Sequence, residues 1–173
     1  MQLATAIQSI LDAEGVPYCL IGAHALALRG VARYTADIDF LTMHTQVLRT
    51  GFWPPELGAE SRSGDDEDPL AGLVRFVNPP VDLVVGRGHV MRDALEGAVF
   101  MPSVGCRVVT SLDLALLKLE AGGVQDLADL QLLLEARRLD GEELRHELAA
   151  QCHKLSAWGQ RAWGKVIARL DED

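Results

Sequence analysis

Two carboxylates, Asp37 and Asp39, flank a single isoleucine at the head of the apolar stretch Asp37-Ile38-Asp39-Phe40-Leu41. Residues i and i+2 of a strand project from the same face, so both carboxylates are aimed at one spot. Like charges placed this way repel, and each raises the other's proton affinity unless a cation lies between them. A hard divalent ion with oxygen ligands answers that need, and Mg²⁺ is the usual choice beside phosphates, with Mn²⁺ as a substitute. A third carboxylate, Asp82, interrupts the apolar run Val81-Asp82-Leu83-Val84-Val85. A buried unpaired carboxylate is costly. Asp82 is therefore expected beside the same metal, as a ligand and as acceptor of the proton from an attacking hydroxyl.

Upstream, the apolar run Tyr18–Ile21 ends at Gly22-Ala23, and an Ala/Leu-rich helical segment follows over Ala23–Arg29, stopped by Gly30. A strand turning directly into a helix leaves backbone N–H groups free, a seat for a phosphate. Gly22 permits the sharp turn and a close approach of ligand to backbone. Arg33 and Thr35 lead into the carboxylate strand. Arg33 either grips phosphate oxygens through its fork or braces the carboxylates, and Thr35 reads as a local hydrogen bonder. Lys118, a lone cation in an apolar helix, either snorkels from an amphipathic face or reaches a bound phosphate. Asp126 and Asp129 either favour the first turn of their own helix, or orient Lys118 or act as a base. His24 reads as a partly buried polar residue, and Trp158 and Trp163 as packing.

The elements that must carry these residues follow from periodicity and punctuation. Leu3, Ile7, Ile10 and Leu11 have helical spacing, ended by Gly15 and Pro17. Short strands are expected at 18–21, 37–43, 73–77 and 81–85, the last two joined by Asn78-Pro79-Pro80. A helix is expected over 89–95, one or two strands within 99–109, and a loop over 51–69. From Thr110 the pattern turns helical. Ser111 is read as the N-cap of Leu112–Glu120, and Gly122-Gly123 separates it from a helix over 124–138. Asp140 with Glu143 resembles a capping box for a third helix, and a fourth covers 158–170. The chain thus divides into an α/β core over 1–110 and a helical region over 111–173 packed on it.

Composition narrows the function. With 49% apolar residues and 173 in all, the chain suits one compact α/β (α+β) unit. The net charge of −9 argues against a broad nucleic-acid surface. Part of the excess lies in the loop Asp65-Asp66-Glu67-Asp68, while 137–173 is close to neutral. Cys19, Cys106 and Cys152 are far apart with no CxxC pair, which speaks against a disulfide framework and a structural zinc. No run approaches the ~20 apolar residues of a membrane span, and Met1–Leu11 lacks the marks of a signal peptide. A cytoplasmic protein is expected.

Taken in order, the Gly22-Ala23 turn, the helix, Asp37-x-Asp39 and the later Asp82 resemble the nucleotidyltransferase (polymerase-beta-like) superfamily. Arg33-x-Thr35-x-Asp37-x-Asp39, with Lys118-Leu-x-Ala121 and Asp126-Leu-x-Asp129 downstream, is similar to the AbiEii-type toxin nucleotidyltransferases and their small relatives. The resemblance covers roughly 16–43 and 80–135. Ala23 departs from it, since many members carry Ser or Gly there. The resemblance implies a minimal fold, a small mixed sheet flanked by helices with a helical C-terminal region. It implies Mg-dependent transfer of a nucleoside monophosphate from an NTP to an acceptor hydroxyl on a protein or tRNA, with an antitoxin as partner. Asp37, Asp39 and Asp82 would hold metal, and Gly22, Ala23, Arg33, Thr35 and Lys118 the triphosphate. The alternative is a nucleotide-binding regulatory module that kept the fold without turnover.

Overall fold

The computed structural model describes residues 2–66, 68–139 and 144–172. Its elements in chain order are α1 (Gln2–Ala13), β1 (Cys19–Ile21), α2 (Gly22–Leu28), β2 (Ile38–Thr42), β3 (Glu60–Ser63), β4 (Leu70–Phe76) and β5 (Val81–Gly86). There follow α3 (Gly88–Gly97), β6 (Val99–Met101), β7 (Cys106–Val108), α4 (Ser111–Ala121), α5 (Val124–Leu139), α6 (Leu144–Gln151) and α7 (Ala157–Glu172). Short 3₁₀ turns occupy Thr45–Leu48, Pro55–Leu57 and Cys152–Lys154.

The strands form one seven-stranded mixed sheet in the order β3-β4-β5-β2-β1-β7-β6. β2 is central, parallel to β5 and antiparallel to β1. Parallel pairing requires a crossover, and here the connection from β2 to β5 carries the β3–β4 hairpin out to the sheet edge. Strand β3 falls in the stretch expected to be loop. All four of its side chains are exposed, so the sequence offers no buried face from which to infer a strand. Strand β4 also starts earlier than expected, at Leu70, reaching back to pair with Gly86.

Helix α4 is the hub of the helical region, touching α2, α3, α5, α6 and α7. Leu114, Ala115, Leu116, Lys118 and Leu119 are all buried, a helix apolar on nearly every side because it is covered on nearly every side. Its cap lies one residue before the expected Ser111. Thr110 Oγ1 accepts from the Asp113 N–H at 3.1 Å and donates to the Asp113 carboxylate at 2.6 Å. Gly122 ends α4 at φ 61°, its N–H returning to the Lys118 carbonyl, a left-handed stop that glycine adopts without penalty. The capping box expected at Asp140 and Glu143 lies outside the described residues. Buried side chains from the sheet, α1 and α4–α7 form one continuous core. No helix among the described residues is long and apolar enough to cross a membrane, and Cys19, Cys106 and Cys152 are free thiols.

Candidate active site

Asp39 and Asp82 are direct neighbours across the parallel pair β2–β5, and Arg75 is the direct partner of Asp82 across the antiparallel pair β4–β5. Residues in register share a face, so Arg75, Asp82 and Asp39 form a row across three strands. Asp37 sits just before β2 and is exposed. Thr35 Oγ1 accepts from the Asp37 N–H at 3.2 Å, fixing the turn into the strand as expected of a local hydrogen bonder.

The row ends at Gly22, the first residue of α2, with φ +65°. A Cβ on Gly22 would lie 2.0 Å from Asp39 Oδ2 and 2.9 Å from Asp39 Cβ. Gly22 is thus required twice, by its left-handed backbone and by the carboxylate that occupies the space of a side chain. Ala23, the next residue, is buried.

Asp39 is half-buried, and its carboxyl is pushed up to about 6. Burial is the largest cause, the charges of Asp82 and Asp37 add to it, and those of His24 and Lys118 pull the other way without cancelling it. The like-charge repulsion inferred from spacing is therefore present, with Asp82 contributing more than Asp37.

Asp82 was expected beside a metal because its apolar run reads as a buried strand, where an unpaired carboxylate is costly. In the structure β5 alternates, with Val81, Leu83 and Val85 buried and Asp82 and Val84 on a partly open face. Asp82 is also paired. Arg75 Nε and Nη2 donate to its two oxygens at 2.9 and 2.6 Å, a bidentate fork. The signal for Arg75 was available only through strand register, which the sequence did not fix. Among the described residues, no three Asp, Glu, His or Cys side chains are gathered closely enough to hold a metal as they stand. Asp37 and Asp39 nonetheless fit Mg²⁺ in donor chemistry, since that ion takes one or two carboxylates with substrate phosphates and water completing its shell.

Lys118 is buried and points to carboxylates of α5. Its Nζ donates to Asp129 Oδ2 at 2.8 Å and to Asp126 Oδ1 at 3.1 Å. Asp129 is fully buried, also accepts from Arg33 Nη1 at 2.9 Å, and takes a bond from Gln125 on its other oxygen. Burial raises the Asp129 carboxyl, yet the bond and charge of Lys118, the Gln125 amide and the Arg33 charge outweigh it and hold the group below the usual range. Of the readings left open for Arg33, Lys118, Asp126 and Asp129, the structure joins all four in one network bridging the β2 lead-in loop to α4 and α5. Trp163 is buried as expected, whereas Trp158 is half-exposed, with Arg161 and Lys165 against its ring. His24 Nδ1 is buried without a hydrogen-bond partner.

No family model matches the chain, and no curated protein matches it in sequence. Solved structures do. The antibiotic-resistance factor ANT(2″)-Ia in solution superposes with a TM-score of 0.57 at 12% identity, covering 99% of this chain and 97% of that one. Its crystal structure with adenylyl-2″-tobramycin gives a TM-score of 0.54 at 13% identity, covering 87% of this chain and 98% of that one. The chain has the nucleotidyltransferase fold. The match to the solution structure spans nearly the whole of both chains, and in this chain Asp39 lies on the central strand of the sheet.

Proposed function

We propose that this protein transfers a nucleoside monophosphate from an NTP to an acceptor hydroxyl, with Mg²⁺ bound at Asp37 and Asp39. The observation that carries the reading is the state of Asp39. It is a half-buried carboxylate at the centre of a like-charge cluster, raised to about 6, and a bound cation would stabilise its charged form at neutral pH. When bound, Mg²⁺ would neutralise triphosphate charge and polarise the reacting phosphorus. The chain's own part is to hold Asp39 against the backbone of Gly22 and to fix the backbone of Asp37 at the head of β2 through Thr35. The acceptor oxygen bonds to the α-phosphorus, the bond to the β-phosphate oxygen breaks, pyrophosphate leaves, and the hydroxyl proton passes to the carboxylate cluster. In this scheme Asp82 shares the second metal position or orients the nucleophile, and Arg33 and Lys118 shape the phosphate side from their network.

The acceptor classes we assay are a protein side chain and a tRNA end, which fit a toxin with a cognate antitoxin. An aminoglycoside joins them because ANT(2″)-Ia was captured with an adenylylated one. The test is Mg-dependent transfer of α-phosphate label from each NTP to the chain itself, tRNA, a lysate and tobramycin, with Asp39→Ala as control. Label transferred by wild type and lost in Asp39→Ala supports the reading.

A second reading, a nucleotide-binding regulatory module without turnover, is favoured by one observation: Arg75 already engages both oxygens of Asp82. NTP binding with no label transferred to any acceptor selects it.

A further inference from the structure

At the opposite ends of β2 and β5 from the carboxylates lies a second cleft, of about 740 Å³, lined by residues of quite different character. Asp39 and Asp82 stand near the starts of these two parallel strands, whereas Met43 just past β2 and Gly86 at the end of β5 border the cleft. At ~3.3 Å per strand residue, Asp39 and Met43 are roughly 13 Å apart, so the cleft is separate from the carboxylate row.

The chain has 25 acidic and 16 basic residues, yet this cleft is lined by three arginines, Arg49, Arg87 and Arg92, and among the described residues by no acidic one. They come from three places: the end of the 3₁₀ turn after β2, the end of β5, and α3. Gly88 opens α3 and Arg92 lies four residues on, so both fall on the helix face turned to the cleft. Arg87 donates to the backbone carbonyls of Asp65 and Asp68. The Asp68 carboxylate is turned back into its own loop, accepting from the Asp65 N–H. Arg49 and Arg92 are exposed, and neither side chain has a partner among the described residues. In so acidic a chain, two unpaired guanidiniums beside a third, around a concave surface, constitute a local field for an anion. Arg87 also provides no capping side chain for α3, so the positive end of that helix adds to the field without being needed to create it.

We propose that this cleft binds a phosphate-bearing small molecule. A planar carboxylate is satisfied by one guanidinium fork, whereas a phosphoryl group offers three peripheral oxygens to donors converging from several directions. Ser63 and Thr45 add hydroxyls to the lining, and Met43 and Leu48 an apolar floor for the body that carries the phosphate. The volume lies in the range of small-molecule pockets. The inference does not depend on the reaction proposed above.

The test is titration calorimetry with inorganic pyrophosphate at low salt in EDTA, which removes any metal-dependent contribution from the carboxylate site. Wild type, Arg49→Gln/Arg92→Gln, Arg92→Gln alone and Asp37→Asn/Asp39→Asn are compared, with citrate as a carboxylate probe. Both arginines are exposed, so an unchanged thermal midpoint is the check that the variants fold. The expected result is saturable binding to wild type, weakened at least tenfold in the double arginine variant and several-fold in Arg92→Gln. In Asp37→Asn/Asp39→Asn binding should be held within about twofold. Absence of binding to wild type overturns the proposal, as does binding indifferent to the arginines, and citrate binding as tightly as pyrophosphate overturns the phosphate assignment.

Discussion

The Asp39 carboxylate fills the volume that a side chain at position 22 would need, with Oδ2 only 2.0 Å from where a Gly22 Cβ would stand. Position 22 is also left-handed, at φ +65°. Gly22→Ala is therefore expected to cost about 1–3 kcal/mol from backbone strain alone and to displace Asp39. Urea unfolding measures the first effect, and loss of a Mg²⁺-induced rise in thermal midpoint measures the second. Wild-type behaviour on both counts would falsify the contact.

The raised Asp39 carboxyl makes stability depend on pH in a definite direction. A folded-state value near 6 against an ordinary value of 3.8 means the folded protein holds this proton more tightly than the unfolded chain. The Asp39 contribution is then fully present below about pH 4 and is lost as pH rises through 6. Without metal, Asp39→Asn is expected to be more stable than wild type at pH 7.5, by about 1–2 kcal/mol after solvent screening, with the gap closing at pH 4. Denaturation midpoints at the two pH values decide the matter. Added Mg²⁺ is expected to stabilise wild type and leave Asp39→Asn unmoved.

Arg75 competes with any metal for Asp82. Its side chain is largely exposed, so Arg75→Ala is expected to leave unfolding nearly unchanged. The freed Asp82 carboxylate would then be available to turn toward Asp39, and Mn²⁺ affinity, read by electron paramagnetic resonance, is expected to rise several-fold. Unchanged affinity would assign Asp82 to the Arg75 pair alone and remove it from the metal site.

The Lys118–Asp129 pair lies almost wholly out of water. Removing one partner strands the other charge, so Asp129→Ala is expected to cost about 3–5 kcal/mol. Lys118→Met/Asp129→Leu should lose less than either single change, a double-mutant cycle that separates pairing from packing. The Asp129 carboxyl is held below its ordinary range, so its contribution is present above that range and disappears as pH falls through the folded-state value. Acid unfolding of Asp129→Asn should accordingly show a weaker pH dependence than wild type.

The fold class was legible in the sequence because it rests on short-range signals, and the crowding of Asp39 by a neighbouring carboxylate followed from spacing alone. Alternation around Asp39, a glycine at a strand end and the break at Gly122-Gly123 each act within a few residues. Strand β3 was invisible because Glu60–Ser63 buries nothing, and the cap fell one residue earlier than expected because Thr110 and Ser111 are adjacent residues that can both cap a helix, Ser being the commoner choice. Arg75 could not be assigned to Asp82 without strand register. Neither could Lys118 be assigned to Asp129 without helix packing, although the ion pair itself was among the alternatives. The cleft beneath Arg49 and Arg92 assembles residues from three separate elements, and nothing local in the sequence brings them together.

Arg33 and Asp129 are joined across 96 positions of chain, which gives the site a place in time as well as in space. Strands β1–β5 and the carboxylate row are encoded before residue 90, but the loop carrying Arg33 has its anchor in α5. During synthesis from the N-terminus, a nascent chain would form the Asp39 strand well before that anchor had emerged. The loop beside the carboxylates would take its final shape only when the helical region docked. Competence for chemistry would then arrive late, after most of the molecule had folded.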